Sequence, residues 1–385
     1  MGLDRRDFFP TTITDIKYRN WDRPDFILVS GDAYVDHPSF GAAVIARVLE
    51  AEGYRVAILS QPDYTSQDAF QVFGRPRLAF LVTAGNLDSM VSNYTVHCRF
   101  RKNDVYSPGG VGGARPDRAT LVYTGIIRRA YKKIPVILGG LEASLRRLSH
   151  YDYWSDKLRR SVLVDSKADM LVYGMGEKTI LEIAGRMDAG EPLSEITDVR
   201  GTVVKLKNLP REFDGLILPD FPALKNDPAV FAKSFRIQQE NTDPINAKPL
   251  AEPHFDYYVL QNKPQQPLSQ HELDRVHELA FTRRAHPDYE QAGGVPAIEE
   301  VSFSIISSRG CFGGCHFCSL NFHQGRIIRS RSHESILREA KSFTRDPEFK
   351  GYIHDVGGPT ANFRKPACDK QLKHGACRKR ACLTP

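Results

Sequence analysis

The first 218 residues predict an α/β fold, a doubly wound parallel sheet with helices on both faces. Three observations carry this. Five short runs are apolar at nearly every position, helical-period segments lie between them, and glycine turns close several of the runs. A strand covered on one face alternates apolar with polar residues, whereas a strand covered on both faces is apolar throughout.

In chain order, residues 26–30 (FILVS) form the first strand and end in Gly31-Asp32. Residues 40–52 (FGAAVIARVLEAE) repeat with helical period, and Gly53 closes them. Residues 55–59 (RVAIL) and 78–83 (LAFLVT) are the next strands. A helix over 116–132 has proline at its start and a basic end, as the helix dipole favours. Strands at 134–138 (IPVIL) and 168–173 (ADMLVY) complete the set; Gly139-Gly140 follows the first and Gly174 the second. Residues 85–115 interrupt the pattern with Gly109-Gly110-Val111-Gly112-Gly113, which reads as a phosphate-cradling loop or as a surface insertion.

Residues 219–295 carry Pro219, Pro222, Pro228, Pro244, Pro249, Pro253, Pro264 and Pro267. Proline interrupts helices and central strands, so this segment is expected to be a connector that wraps a surface. A helix over 268–284 lies within it, and a last domain spans 296–385.

With 41% hydrophobic and 26% charged residues, the composition is that of an ordinary folded chain, and 385 residues leave room for two or three domains. The net charge of +7 permits RNA or an anionic metabolite as a partner. The opening MGLDRRDFFP has no apolar signal core, and no stretch approaches the roughly 18 apolar residues of a membrane span. A cytoplasmic location is therefore expected. Six of the seven cysteines lie after residue 310, which points to metal or redox chemistry rather than disulfides.

The decisive segment is 301–320, VSFSIISSRGCFGGCHFCSL. Val301, Phe303 and Ile305 alternate with Ser302 and Ser304, predicting a strand over 300–306. A loop then presents Cys311-x3-Cys315-x2-Cys318, with Gly310, Gly313 and Gly314 to let it curl. Thiolates are soft ligands suited to iron–sulfur clusters. Three of them hold three irons of a [4Fe–4S] cubane and leave the fourth iron without a ligand from the motif. S-adenosylmethionine (SAM) can chelate that iron through its amino and carboxylate groups. The alternative is a structural zinc, with His316 or His323 as fourth ligand.

Cys-x3-Cys-x2-Cys with Phe317 before the last cysteine resembles the signature of the radical SAM superfamily. The wider context, RGCFGGCHFCSLNFHQGR followed by RSRS, resembles its YgiQ-like branch, as do RPDRA at 115–119 and DVGGPTANF at 355–363. The resemblance implies a [4Fe–4S] cluster on Cys311, Cys315 and Cys318, with Phe317 beside the adenine of SAM. It also implies that Gly357, Gly358 and Pro359 form the turn whose backbone carbonyls receive the SAM amino group. Pro359 replaces the glutamate usual there, so only the backbone role carries over. A reductant such as flavodoxin or ferredoxin is implied as well.

The N-terminal region is similar to the cobalamin-binding fold that often precedes a radical SAM barrel, and 296–385 to the start of such a partial (βα) barrel. Base-off cobalamin binding needs Asp-x-His-x2-Gly, whereas here Asp36 abuts His37, so no cobalamin is expected. Cys368, Cys377 and Cys382 lie among lysines and arginines in the last 20 residues. They read as a second metal site, with His374 as a further candidate ligand, or as reactive surface thiols.

The expected function is reductive cleavage of SAM to a 5′-deoxyadenosyl radical, on a substrate the sequence does not name. The alternative is a zinc-stabilised protein that binds RNA. A barrel of about six βα units is needed, fewer than the eight of a complete barrel. Only two strands, 300–306 and 351–356, with a helix at 334–343, are expected after residue 296. The chain is accordingly expected to be the N-terminal part of a longer protein, with its tail after Gly357 poorly ordered.

Overall fold

A strand apolar at every position has to bury both of its faces, and the computed structural model, which describes residues 4–315, 317–358 and 363–377, does so in a nine-stranded sheet. Five parallel strands form its first part: β1 (Phe26–Ser30), β2 (Val56–Ser60), β3 (Ala79–Thr83), β4 (Val136–Leu138) and β5 (Met170–Val172). Their order is β2-β1-β3-β4-β5, with Phe26 opposite both Val56 and Ala79.

The helices α1 (Gly41–Ala51), α2 (Ala119–Ala130), α3 (Gly140–Leu145) and α4 (Glu177–Asp188) divide between the faces. Ile27, Val29, Phe80 and Val82 join Tyr123, Ile126 and Ile127 of α2 and Ala143 of α3 in one core. Phe26, Leu28 and Leu81 join Ala46 and Leu49 of α1 and Ile180 and Ile183 of α4 in the other. The two-residue period of the strands thus feeds two cores from one run. The fold class is as expected, mixed α/β around a mostly parallel, doubly wound sheet.

The proline-rich segment departs from expectation. Past β5 the sheet continues with β6 (Thr202–Leu206), β7 (Leu216–Ile217), β8 (Leu250–His254) and β9 (Tyr257–Gln261), in the order β7-β8-β9-β6-β5. So 219–295, expected as a surface connector, supplies two strands to the sheet, together with helices α5 (Pro228–Glu240) and α6 (Gln270–His277). Pro253 is tolerated because β7 pairs only with Leu250 and Ala251, which leaves β8 an edge strand at the proline.

After residue 296 the strands are short. A helical turn at Ala297–Val301 takes the front of the strand expected over 300–306, leaving β10 as Ser304–Ile306. Next come β11 (Ser308–Arg309), helix α7 (Leu320–His323), β12 (Arg329–Ser330), helix α8 (His333–Phe343) and β13 (Asp355–Gly357). β11 and β12 pair antiparallel, and β10 and β13 pair parallel across α8, which is a βαβ unit.

The tail also differs from expectation over its described part. Phe363 stacks on Phe312 with ring centroids 4.2 Å apart. Ala376 is buried, and its N–H donates to Asp243 at 2.7 Å.

Candidate functional site

The cysteine loop leaves β11 through Gly310, whose φ of 89° and close approach to the Ile327 carbonyl admit only glycine. Cys311 is buried and its N–H donates to the Gly325 carbonyl at 3.0 Å. The Gly310 N–H donates to Gln324 Oε1 at 3.2 Å. A turn closed by Cys318 N–H on the Cys315 carbonyl (3.1 Å) sets the last two cysteines. Cys315 is exposed, Cys318 is half-buried, and all three are free of disulfides. Phe317 is 93% exposed. Three free thiols thus share one irregular loop.

The glycine turn expected to receive SAM lies alongside. The Gly357 carbonyl accepts from Ser307 N–H at 2.7 Å, continuing the β10–β13 pairing. A Cβ on Gly358 would stand 2.7 Å from Ser308 Oγ, so this residue has to be small. Pro359 lies outside the described residues, as do His316 and Cys382. Cys368 and Cys377 are both exposed. Among the described residues, no three His, Cys, Asp or Glu side chains converge so as to hold one metal ion. His323, the other candidate zinc ligand, instead places Nδ1 3.0 Å from Ser144 Oγ. Burial holds its pKa down at about 4, so it is neutral at pH 7.

Sequence reasoning missed what lies behind the loop. A cavity of about 70 Å³ opens between the carboxyl end of β5, the segment 264–268 and the stretch 321–329 that ties down the cysteine loop. Among the described residues, Arg147, Lys178, Arg309, Arg326 and Arg329 line it, and no Asp or Glu does. Arg309 reaches across to an ion pair with Glu177, the first residue of α4. That pair joins the cysteine hairpin to the N-terminal sheet. The available signal was Arg309 and Arg329, which flank the motif and face each other across β11 and β12.

In an open α/β sheet the place for a ligand is the crevice at the carboxyl ends of the strands where their order reverses, here between β1 and β3. Arg115 fills it. Its Nη2 lies 2.6 Å from Asp32 Oδ1, and Nε donates to the Gly31 carbonyl at 3.0 Å. The Asn86 N–H donates to Asp32 Oδ2 at 2.6 Å. His37 is fully buried beyond this crevice and accepts the Ser39 N–H on Nδ1 at 3.0 Å. The glycine-rich run is a packing device: Gly109, at φ 63°, sits against the Ala292 carbonyl and donates to the Gly294 carbonyl at 2.8 Å.

Residues 8–304 match the family described as Radical SAM N-terminal. The chain belongs to that family. The match ends before Cys311, so the cysteine roles rest on the motif and its geometry. The UPF0313 protein of Clostridium perfringens (strain ATCC 13124) is 51% identical over 384 residues, covering 100% of this chain and 58% of that protein. The UPF0313 protein of Clostridium botulinum (strain Kyoto / Type A2) is 50% identical over 383 residues, covering 100% and 59%. The chain therefore spans less than two thirds of the length of these curated relatives.

Among solved structures, the radical SAM methyltransferase TsrM of Kitasatospora setae, with tryptophan and a SAM analogue bound, aligns with TM-score 0.47 and 16% identity. That alignment covers 87% of this chain and 47% of TsrM. The cobalamin-dependent SAM radical enzyme OxsB aligns with TM-score 0.42 and 12% identity, over 90% and 36%. These likenesses are too distant to carry a cofactor across, and they lend no support to the expected absence of cobalamin. No helix among the described residues is long and apolar enough to cross a membrane.

Proposed function

We propose that this chain is the cluster-bearing part of a radical SAM enzyme. Cys311, Cys315 and Cys318 hold three irons of a [4Fe–4S] cluster, and the Gly357-Gly358 turn receives the amino group of SAM. The observation that carries the reading is that three free thiols share one irregular loop, while Gly358, at the end of the strand parallel to β10, packs against Ser308 three residues before Cys311. When bound, the cluster and SAM supply a 5′-deoxyadenosyl radical. The chain's own residues position that chemistry. Gly310 and the Gly325 carbonyl fix the first thiol, Gly358 lets β13 approach Ser308, and the Arg309–Glu177 pair anchors the hairpin. The exposed Phe317 would cover the adenine, and a flavodoxin or ferredoxin would supply the electron. Cobalamin is not part of this reading, because Arg115 fills the crevice of the sheet and His37 is enclosed.

Anaerobic reconstitution tests it. Wild type is expected to take up about four irons, and Cys311→Ala, Cys315→Ala and Cys318→Ala each to lose the cluster absorbance, since a cubane on two thiolates is labile. Full iron content in any one variant would refute the assignment. The same wild-type protein, incubated with hydroxocobalamin and desalted, is expected to retain none. Stoichiometric retention that His37→Ala abolishes would reverse that part.

A further inference from the structure

We propose that the cavity behind the cysteine loop binds the oxyanion of the substrate, a phosphate or carboxylate group, between Arg147 and Arg329. Its place next to the reacting centre rests on the radical SAM reading above; the anion site itself does not.

Among the described residues, five cationic side chains line this cavity and no carboxylate does. Two of the five are neutralised from behind: Lys178 pairs with Glu272 at 2.8 Å, and Arg309 pairs with Glu177. Arg147 and Arg329 have no carboxylate within 4 Å among the described residues. Arg147 is only 3% exposed. A buried cation without a counterion is costly, and burial pushes this guanidinium below its ordinary pKa.

Neutral groups aim it instead. Nε donates to Gln261 Oε1 at 2.6 Å and Nη1 to the Ser144 carbonyl at 2.6 Å. The guanidinium lies 4.9 Å from the Tyr173 ring and 5.7 Å from the Phe322 ring. Nη2 has no partner among the described residues. Arg329 Nε is likewise buried without a partner, as is Asn321 Oδ1 in the same lining. An amide there serves a hydroxyl or, turned over, an oxyanion. The space has room for several waters, enough for a phosphate or carboxylate group. Guanidinium groups suit both anions because their planar fork donates to two oxygens. His323, neutral on the same wall, adds no competing charge.

SAM also carries a carboxylate, so the test has to separate two sources of anion. Inorganic phosphate and acetate are titrated calorimetrically into the full chain, with and without saturating SAM. Phosphate is expected to bind with unchanged affinity in both conditions. Arg147→Gln and Arg329→Gln are each expected to weaken it about tenfold or more, the loss of a charge-assisted hydrogen bond. Should Arg147→Gln fail to fold, Arg147→Lys and Arg329→Gln decide the matter. Binding of neither anion, phosphate binding undiminished by the variants, or displacement of phosphate by SAM would overturn the proposal. In the last case the cavity holds the SAM carboxylate. Iron content is measured on the same samples. A wild type without iron refutes the radical SAM reading, while the phosphate titration still decides the anion site.

Discussion

The parallel sheet and the cysteine region bury their residues to very different degrees. All five residues of β1 are buried, and its two faces enter two separate cores. β13 exposes Asp355 and Val356 and buries only Gly357, and β11 and β12 have two residues each. Polar groups do not divide in this way, because both regions hold buried atoms without a partner, such as Ser60 Oγ and Tyr123 Oη in the first. Buried Glu142 accepts from the N–H groups of Ser89 and Thr120 at 2.9 and 3.0 Å, and from both hydroxyls, so its charge is fully solvated by the fold. Arg329 Nε and Asn321 Oδ1 are buried without such partners. What sets Arg329 and Asn321 apart is that both line a cavity. The first region therefore buries most of the core, and the second presents the three cysteines on a few ties to the first.

Three experiments bear on this contrast. Phe80→Ala, at a fully buried position in the middle of the sheet, should cost about 3–5 kcal/mol in urea unfolding. Val356→Ala, on the exposed part of β13, should cost less than about 1 kcal/mol. Equal losses at the two positions would erase the distinction. The tie between the regions comes next. Glu177→Gln leaves Arg309 buried without its counterion, at a cost of about 3 kcal/mol. Hydrogen exchange should then rise across 304–330 while β1 to β3 keep their protection. Uniform loosening of the whole chain would mean that the two parts unfold as one unit.

The smallest expected effect is on pH dependence. Burial holds His150, in the N-terminal region, and His323, at the junction, at about 4, below the ordinary value of about 6.5. Between these values the unfolded chain binds more protons than the folded one. Stability is therefore full above pH 6.5 and is lost as pH falls toward 4, by at most about 1.4 kcal/mol per pH unit for each histidine. His150→Gln and His323→Gln should each flatten the slope of urea midpoint against pH between 6.5 and 5. A slope unchanged in His323→Gln would show that the junction opens before this histidine is protonated.

Legibility in the sequence follows local sufficiency. FILVS at 26–30 became β1 residue for residue, because a run apolar on both faces has no other stable setting. The cysteine loop was legible too, since three thiols at that spacing act within a few residues of chain. β8 was not, because Pro253 argues against a strand until the neighbouring strand proves too short to need its N–H. The helical turn at Ala297–Val301 was missed for a related reason. Alternation over 301–305 outweighed the acidic first turn at Glu299 and Glu300.

By itself the sequence determined the sheet's first five strands and the placing of Cys311, Cys315 and Cys318 on one loop, both of which are properties of short segments. The tertiary structure alone decided that Arg147, Asn321 and Arg329 line one cavity and that Arg115 fills the crevice of the sheet. The physical reason is that an arginine's role depends on its counterion and its burial. Topology sets both, by bringing residues far apart in the chain to one place, and neither is written in the residue's own surroundings in sequence.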